Sequence, residues 1–200
     1  MAAEQPPAHR TALGRPPLLV IVSGAPCTGK TTLAARLAAD LRLPLIAKDT
    51  VKETLFDALG WSDREWSRRL GGASVRLLFV FAEAVLRAGR PAVLESNFSR
   101  EWDTPHFAAL RERVAFEPLQ IVCTTERETL LARFAARWVA GERHPGHVEA
   151  AQLPELAAAL DDGRYGALPI GGEALTLDTT DFAAVIYDVV RAAVAGHLRP

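Results

Sequence analysis

The sequence predicts an α/β protein built on a parallel β-sheet with helices on both faces. Two observations carry that prediction. Short apolar, β-branched runs alternate along the chain with longer stretches whose apolar residues recur at helical spacing. The first run, Leu18-Leu19-Val20-Ile21-Val22-Ser23, leads directly into Gly24-Ala25-Pro26-Cys27-Thr28-Gly29-Lys30-Thr31. That octapeptide fits the phosphate-binding pattern G-x-x-x-x-G-K-[ST], whose required context is a strand before it and a helix after it. Strands separated by helices imply right-handed crossovers and a sheet covered on both sides.

The elements follow in order. The first strand gives way to a helix ending near Leu41, with Leu33, Ala34, Leu37 and Ala38 as its apolar stripe. Pro44 to Ala47 is a short second strand, and a helix from about Thr50 to Leu59 is closed by Gly60. Ser62-Asp63-Arg64-Glu65 has the capping-box form S-x-x-E, so a helix is expected to start there. Gly71-Gly72 is expected to break it, and a further apolar helix runs from about Ala73 to Ala88 before Gly89. Ala92 to Ser96 is the third strand, and a helix near Pro105–Val114 follows. Leu119 to Cys123 is the fourth strand. Thr125-Glu126-Arg127-Glu128 is a second capping box, opening a helix to about Val139. Residues 141–148 are polar, a short helix covers Glu155–Leu160, Leu175–Asp178 is the fifth strand, and the last helix spans about Phe182–His197.

The chain has 200 residues and a formal net charge of −1. That length suits one domain over residues 18–200, with proline-rich residues 1–17 as a disordered leader. The charge balance supplies no polyanion-binding footprint, so nucleic acid is not an expected partner. No apolar run approaches a membrane span. The two cysteines, Cys27 and Cys123, make neither a disulfide framework nor a metal pattern, which fits a cytoplasmic protein. Cys27 reads as a small filler within the loop. His144 and His147 lack the cysteine or acid that would complete a zinc set. Composition is silent on oligomeric state.

The chemistry of the loop follows from its residue types. Glycines let backbone N–H groups approach an anion without an intervening Cβ, and the helix N-terminus adds its positive end. Gly24 to Thr32 is therefore the nucleotide-binding segment, comprising Gly24, Ala25, Pro26, Cys27, Thr28, Gly29, Lys30, Thr31 and Thr32. Lys30 is placed to reach the β- and γ-phosphates and the Thr31 hydroxyl to ligate Mg²⁺.

In parallel sheets ligands bind outside the carboxyl ends of the strands. Strand two ends in Lys48-Asp49 and strand three in Glu95-Ser96-Asn97. Asp49 is the candidate for orienting and deprotonating an acceptor hydroxyl. Glu95 is a candidate for holding Mg²⁺ or acceptor, Asn97 for hydrogen-bonding the acceptor, and Lys52 and Arg143 are further candidates for binding it. Arg133 and Arg137 share one helix face, with Arg143 close behind them. These guanidinium groups are expected to close over ATP, as part of a mobile lid at about residues 133–152, and to stabilise charge on the γ-phosphate. Leu55 to Arg76 is expected to cover the acceptor, with Trp61 and Trp66 either stacking on it or packing in the core.

With the loop, Lys48-Asp49, Glu95-Ser96-Asn97-Phe98 and Arg143-His144-Pro145-Gly146-His147 in view, residues 18–181 resemble the AAA-type predicted-kinase family of P-loop phosphotransferases. That family lies near zeta-toxin, gluconate-kinase and polynucleotide-kinase enzymes. The resemblance implies a three-layer fold with strand order 2-3-1-4-5 and a mobile lid. It implies nucleotide and Mg²⁺ held by Lys30 and Thr31, lid arginines at Arg133 and Arg137, and an adenine-side turn after Leu175-Thr176-Leu177-Asp178. Loop, strand-end acids and resemblance together lead to the expectation of an ATP- and Mg²⁺-dependent kinase acting on a hydroxyl of a small molecule. In the polynucleotide-kinase relatives an acid after strand two is followed three residues on by arginine. Here that position is Lys52, which lacks the bidentate fork and argues against a polynucleotide or phosphorylated acceptor. Three other readings stand beside this one: a nucleotide-dependent ATPase or switch binding a protein partner, a toxin-like nucleotide-sugar kinase, and a polynucleotide 5′-hydroxyl kinase.

Overall fold

The computed structural model describes residues 15–141, 143–148, 153–185 and 187–198. Five parallel strands form one sheet: β1 (Leu18–Gly24), β2 (Leu45–Ala47), β3 (Ala92–Glu95), β4 (Glu117–Thr124) and β5 (Glu173–Asp178). Their order is β2-β3-β1-β4-β5, as the resemblance implied. The helices are α1 (Lys30–Leu41), α2 (Lys48–Leu59), α3 (Arg64–Arg87), α4 (Arg100–Arg113), α5 (Arg127–Ala140), α6 (Leu153–Asp161) and α7 (Tyr187–Leu198).

Strand periodicity sorts the core into two layers. From β1, Leu18, Val20 and Val22 pack with Leu33, Leu37, Val190 and Val194 of α1 and α7. The alternate residues Leu19 and Ile21 face Leu78, Phe79, Ala82, Leu86, Phe107 and Leu110 of α3 and α4. Phe107 anchors this second layer, its ring edge-on to Phe79 at 4.9 Å and to Phe98 at 5.2 Å between centroids. With both faces covered, all seven residues of β1 are buried.

Several boundaries differ from expectation, each for a local reason. Gly71 and Gly72 do not break a helix; α3 runs through both. Each glycine costs about 1 kcal/mol relative to alanine. Burial of Leu78, Phe79 and Leu86 outweighs this at roughly 1.5–3 kcal/mol per side chain. The cap of α3 is Asp63 rather than Ser62, its carboxylate accepting the Trp66 amide at 2.8 Å. Helix α2 starts two residues early, at Lys48. Helix α4 starts at Arg100, ahead of Pro105, because the Asp103 carboxylate accepts the Ser99 amide at 2.7 Å and closes the first turn. At the C-terminal end a separate 3-10 turn, Phe182–Ala184, precedes α7. Residues 1–14 of the expected leader, and 142 and 149–152 of the expected lid, lie outside the described residues. Arg15, at the end of that leader, forks onto both Glu117 carboxylate oxygens at 2.8 Å.

Candidate active site

Strand register gathers the candidate residues at one edge of the sheet. Val22 of β1 and Ala47 of β2 both pair with Glu95 of β3, and Gly24 pairs with Cys123 of β4. The glycine loop, Glu95 and the Lys48-Asp49 start of α2 therefore emerge side by side.

The loop geometry demands its glycines. Gly24 has φ +141° and Gly29 φ +77°, both in the region that favours glycine. A β-carbon on Gly24 would overlap the Cys123 carbonyl, and one on Gly29 would lie 2.6 Å from the Phe182 ring. Thr28 donates its hydroxyl to the Ala25 carbonyl at 2.9 Å, tightening the loop from within. The turn so formed delivers the chain into α1, whose first residue is Lys30.

Beneath the loop Glu95 is buried. It accepts the Thr31 hydroxyl at 3.1 Å and faces the Lys30 ammonium at 3.7 Å. Burial pushes the Glu95 carboxyl up from its ordinary range, while Lys30 opposes that rise. These donors fit Mg²⁺, a hard cation that prefers oxygen. A Thr31 hydroxyl that gives its proton to Glu95 keeps its lone pairs on the cavity side, where a hard cation could use them.

The opposite wall is strongly basic. Asp49 forms an ion pair with Arg143. Burial would raise the Asp49 carboxyl, but Arg143, Lys48 and Lys30 together outweigh burial and hold it at about 2. Lys48 donates to Asn97 Oδ1 at 3.1 Å. Lys52 donates to Ser67 Oγ at 3.0 Å, and burial, with Lys48 nearby, brings its ammonium down to about 8. His147 is buried against Phe56, with Glu53 Oε1 at 2.9 Å and Arg143 Nη2 at 3.2 Å from its Nε2. Burial and then Arg143 press its imidazole down to about 3. His144 stacks on Phe56 and reaches Asp57. Among the described residues no group of His, Cys, Asp and Glu could hold a metal by itself.

Helix α5 supplies the third wall. Arg133 donates to the Thr179 carbonyl at 3.0 Å and the Thr180 carbonyl at 2.8 Å, tying α5 to the turn after β5. The Thr125 hydroxyl, expected in a capping box, instead lies 2.7 Å from that of Thr179. Arg137 sits one turn along α5, beside Phe134.

These walls enclose a cavity of about 600 Å³. Pro26, Cys27, Gly29, Lys30, Thr31, Thr32, Asp49, Lys52, Asn97, Arg133, Arg137 and Arg143 all line it. Ala25 and Thr28 turn the other way, into a smaller pocket behind the loop. Sequence reasoning did not single out the α3 residues Arg64, Ser67 and Arg68, which also line the cavity. Their shared face, at positions i, i+3 and i+4 with Gly71, Gly72 and Val75 beyond, was the available signal. Among the described lining residues neither Trp61 nor Trp66 is present. Trp66 donates its indole N–H to the Gly60 carbonyl at 2.9 Å, and Trp61 meets His144 edge-on.

The AAA domain family model matches residues 19–162. The crystal structure of a provisionally assigned kinase from Chloroflexus aurantiacus J-10-fl is 40% identical, covers 92% of this chain and all of its own, and superposes with a TM-score of 0.85. A sugar kinase from Janibacter sp. HTCC2649 is 19% identical, with 92% and 95% of the two chains covered and a TM-score of 0.54. A structure from the PezAT toxin–antitoxin system of Streptococcus pneumoniae is 14% identical, covers 90% of this chain and 75% of its own, and has a TM-score of 0.52. The last two likenesses concern the fold alone. No curated protein matches the chain. No helix among the described residues is long and apolar enough to cross a membrane. From the glycine loop, the 2-3-1-4-5 sheet and these likenesses, the chain belongs to the AAA domain family and carries the P-loop kinase fold.

Proposed function

We propose that this protein is an ATP- and Mg²⁺-dependent kinase that transfers the γ-phosphoryl group to a hydroxyl of a small acceptor. The observation that carries the reading is the placement of an ionised carboxylate, Asp49, in the same cavity as Lys30 and Thr31 of the glycine loop. In this reading the loop amides and Lys30 hold the β- and γ-phosphates. Thr31 and Glu95 hold Mg²⁺, which supplies neutralising charge to the phosphates when bound. Arg137 and Arg143 balance charge on the phosphoryl group in transit, and Arg133 fixes the adenine-side turn at Thr179 and Thr180.

A carboxylate held at about 2 is a weak base, so Asp49 acts first by accepting a hydrogen bond from the acceptor hydroxyl and aligning it. The proton follows late, as suits a loose phosphoryl-transfer transition state. The test is ADP release over a panel of hydroxyl compounds, with ATP affinity measured alongside. Turnover stimulated by an acceptor is expected. Intact ATP binding with no stimulation by any acceptor sinks the transfer reading and leaves the ATPase or switch.

A further inference from the structure

Five cations of the cavity wall stand outside the glycine loop and helix α5. Lys48 and Lys52 come from α2, Arg64 and Arg68 from α3, and Arg143, paired with Asp49, from the segment after α5. Together they give this wall a positive charge that an anionic ligand complements better than a neutral one. The α3 face between them is also shaped for a ligand. At its centre are Gly71 and Gly72, where a packed helix would carry side chains. A β-carbon on Gly72 would meet no atom within 4 Å, and one on Gly71 would come no nearer than 3.7 Å to Lys52. Packing does not require these glycines. They leave bare backbone on a cavity wall, in mid-helix, at a cost in helix propensity.

We infer that the acceptor carries an anionic group, a carboxylate or a phosphate ester, which lies against the bare helix face at Gly71 and Gly72 and is gripped by Lys52, Arg64 and Arg68. This rests on the kinase reading for the identity of the ligand as acceptor. Lys52 alone lacks the bidentate fork that a phosphorylated acceptor asks for, and the arginines of α3 supply it from another element. The Ser67 hydroxyl, accepting from Lys52, is left to donate its own proton to an anion.

The experiment measures binding beside a filled nucleotide site. The full chain is saturated with ADP and Mg²⁺ and titrated calorimetrically with two matched sets: glycerol, glycerate and glycerol 3-phosphate, and ribose, ribonate and ribose 5-phosphate. At least one anion is expected to bind and its neutral parent not to. The better-bound class tells carboxylate from phosphate ester. Arg64→Ala and Arg68→Ala are expected to weaken that anion about tenfold, the loss of one charge-assisted hydrogen bond. Gly72→Leu, which fills the bare face without altering charge, is expected to weaken it too while ADP affinity holds. Equal binding of a neutral parent, no anion binding beside ADP, anions that bind only when ADP is absent, or affinity unmoved in all three variants each overturns the inference. These outcomes leave the ADP-release test of phosphoryl transfer to be decided separately.

Discussion

The carboxylate of Asp49 and the guanidinium of Arg143, 94 positions apart in sequence, form an ion pair that ties the start of α2 to the segment following α5. The pair keeps Asp49 ionised and places a cation next to it on the cavity wall.

Replacing Asp49 tests its role. Asp49→Asn keeps the shape and removes the charge. A fall in kcat of about 10²- to 10⁴-fold is expected, with ATP affinity little changed. Because the carboxyl is held at about 2, the wild-type kcat profile should show no acid limb from this group above about pH 4. An acid limb near neutrality that vanishes in Asp49→Asn would contradict the assignment.

Lys30 is buried against Glu95, one residue before the proposed metal ligand Thr31. Lys30→Met should lower turnover by about 10²-fold or more through loss of phosphate charge balance. Circular dichroism should remain that of the folded chain. Undiminished ADP production in this variant would sink the loop assignment.

Acid should loosen the α2 side of the cavity. The unfolded chain protonates His147 near pH 6.5, whereas the folded chain resists until about 3. The unfolded state therefore binds the extra proton, and stability present above pH 6.5 is lost as pH falls through that window. Asp49 acts in the same direction between 3.8 and about 2. Glu53, Glu95 and Asp103, raised by burial, and His197, raised by its bonds to Glu117 and Glu173, act oppositely. The His147 contribution is therefore read as a difference: between pH 7 and pH 5 the urea midpoint of His147→Gln should lose less than that of the wild type. Identical pH dependence in the two proteins would be inconsistent with a buried neutral imidazole.

Gly72→Ala should separate stability from function. The new methyl meets no atom within 4 Å, so the helix gains about 1 kcal/mol. Melting should rise by about 2–4 °C. Acceptor kcat/KM should drop at the same time, because the methyl occupies the cavity wall. A variant that is both more stable and fully active would show that the bare face serves no ligand.

Lys52, at about 8, links acceptor grip to pH. As pH rises through that value the ammonium loses its charge, so KM for an anionic acceptor should rise. Lys52→Arg should remove that dependence, and a KM limb that persists in the variant would assign it elsewhere.

The loop and the sheet were legible because their signals are local. A strand-length apolar run, fixed glycine spacing and a helical stripe all lie within a few residues of one another. Asp49, Glu95 and Arg143 could be named because strand ends and polar loops converge in parallel sheets. That Asp49 pairs with Arg143 could not be read, since the contact is set by how α2 and the segment after α5 pack together. The basic face of α3 was obscured by its own glycines. Gly71-Gly72 signals a break in any local scale, and only the buried stripe on the other side of α3 reveals the helix as continuous. The tryptophans left stacking and core packing both open; Trp66 is anchored to the Gly60 carbonyl, Trp61 meets His144, and neither is among the described residues that line the cavity.

The Phe182 ring rests against Gly29, where any larger residue would meet it. This contact ties the 3-10 turn before α7 to the loop. If a triphosphate stiffens the backbone around Gly29, as the proposed function requires, the 182–184 turn is restrained with it, and by reciprocity loosening that turn should weaken nucleotide affinity.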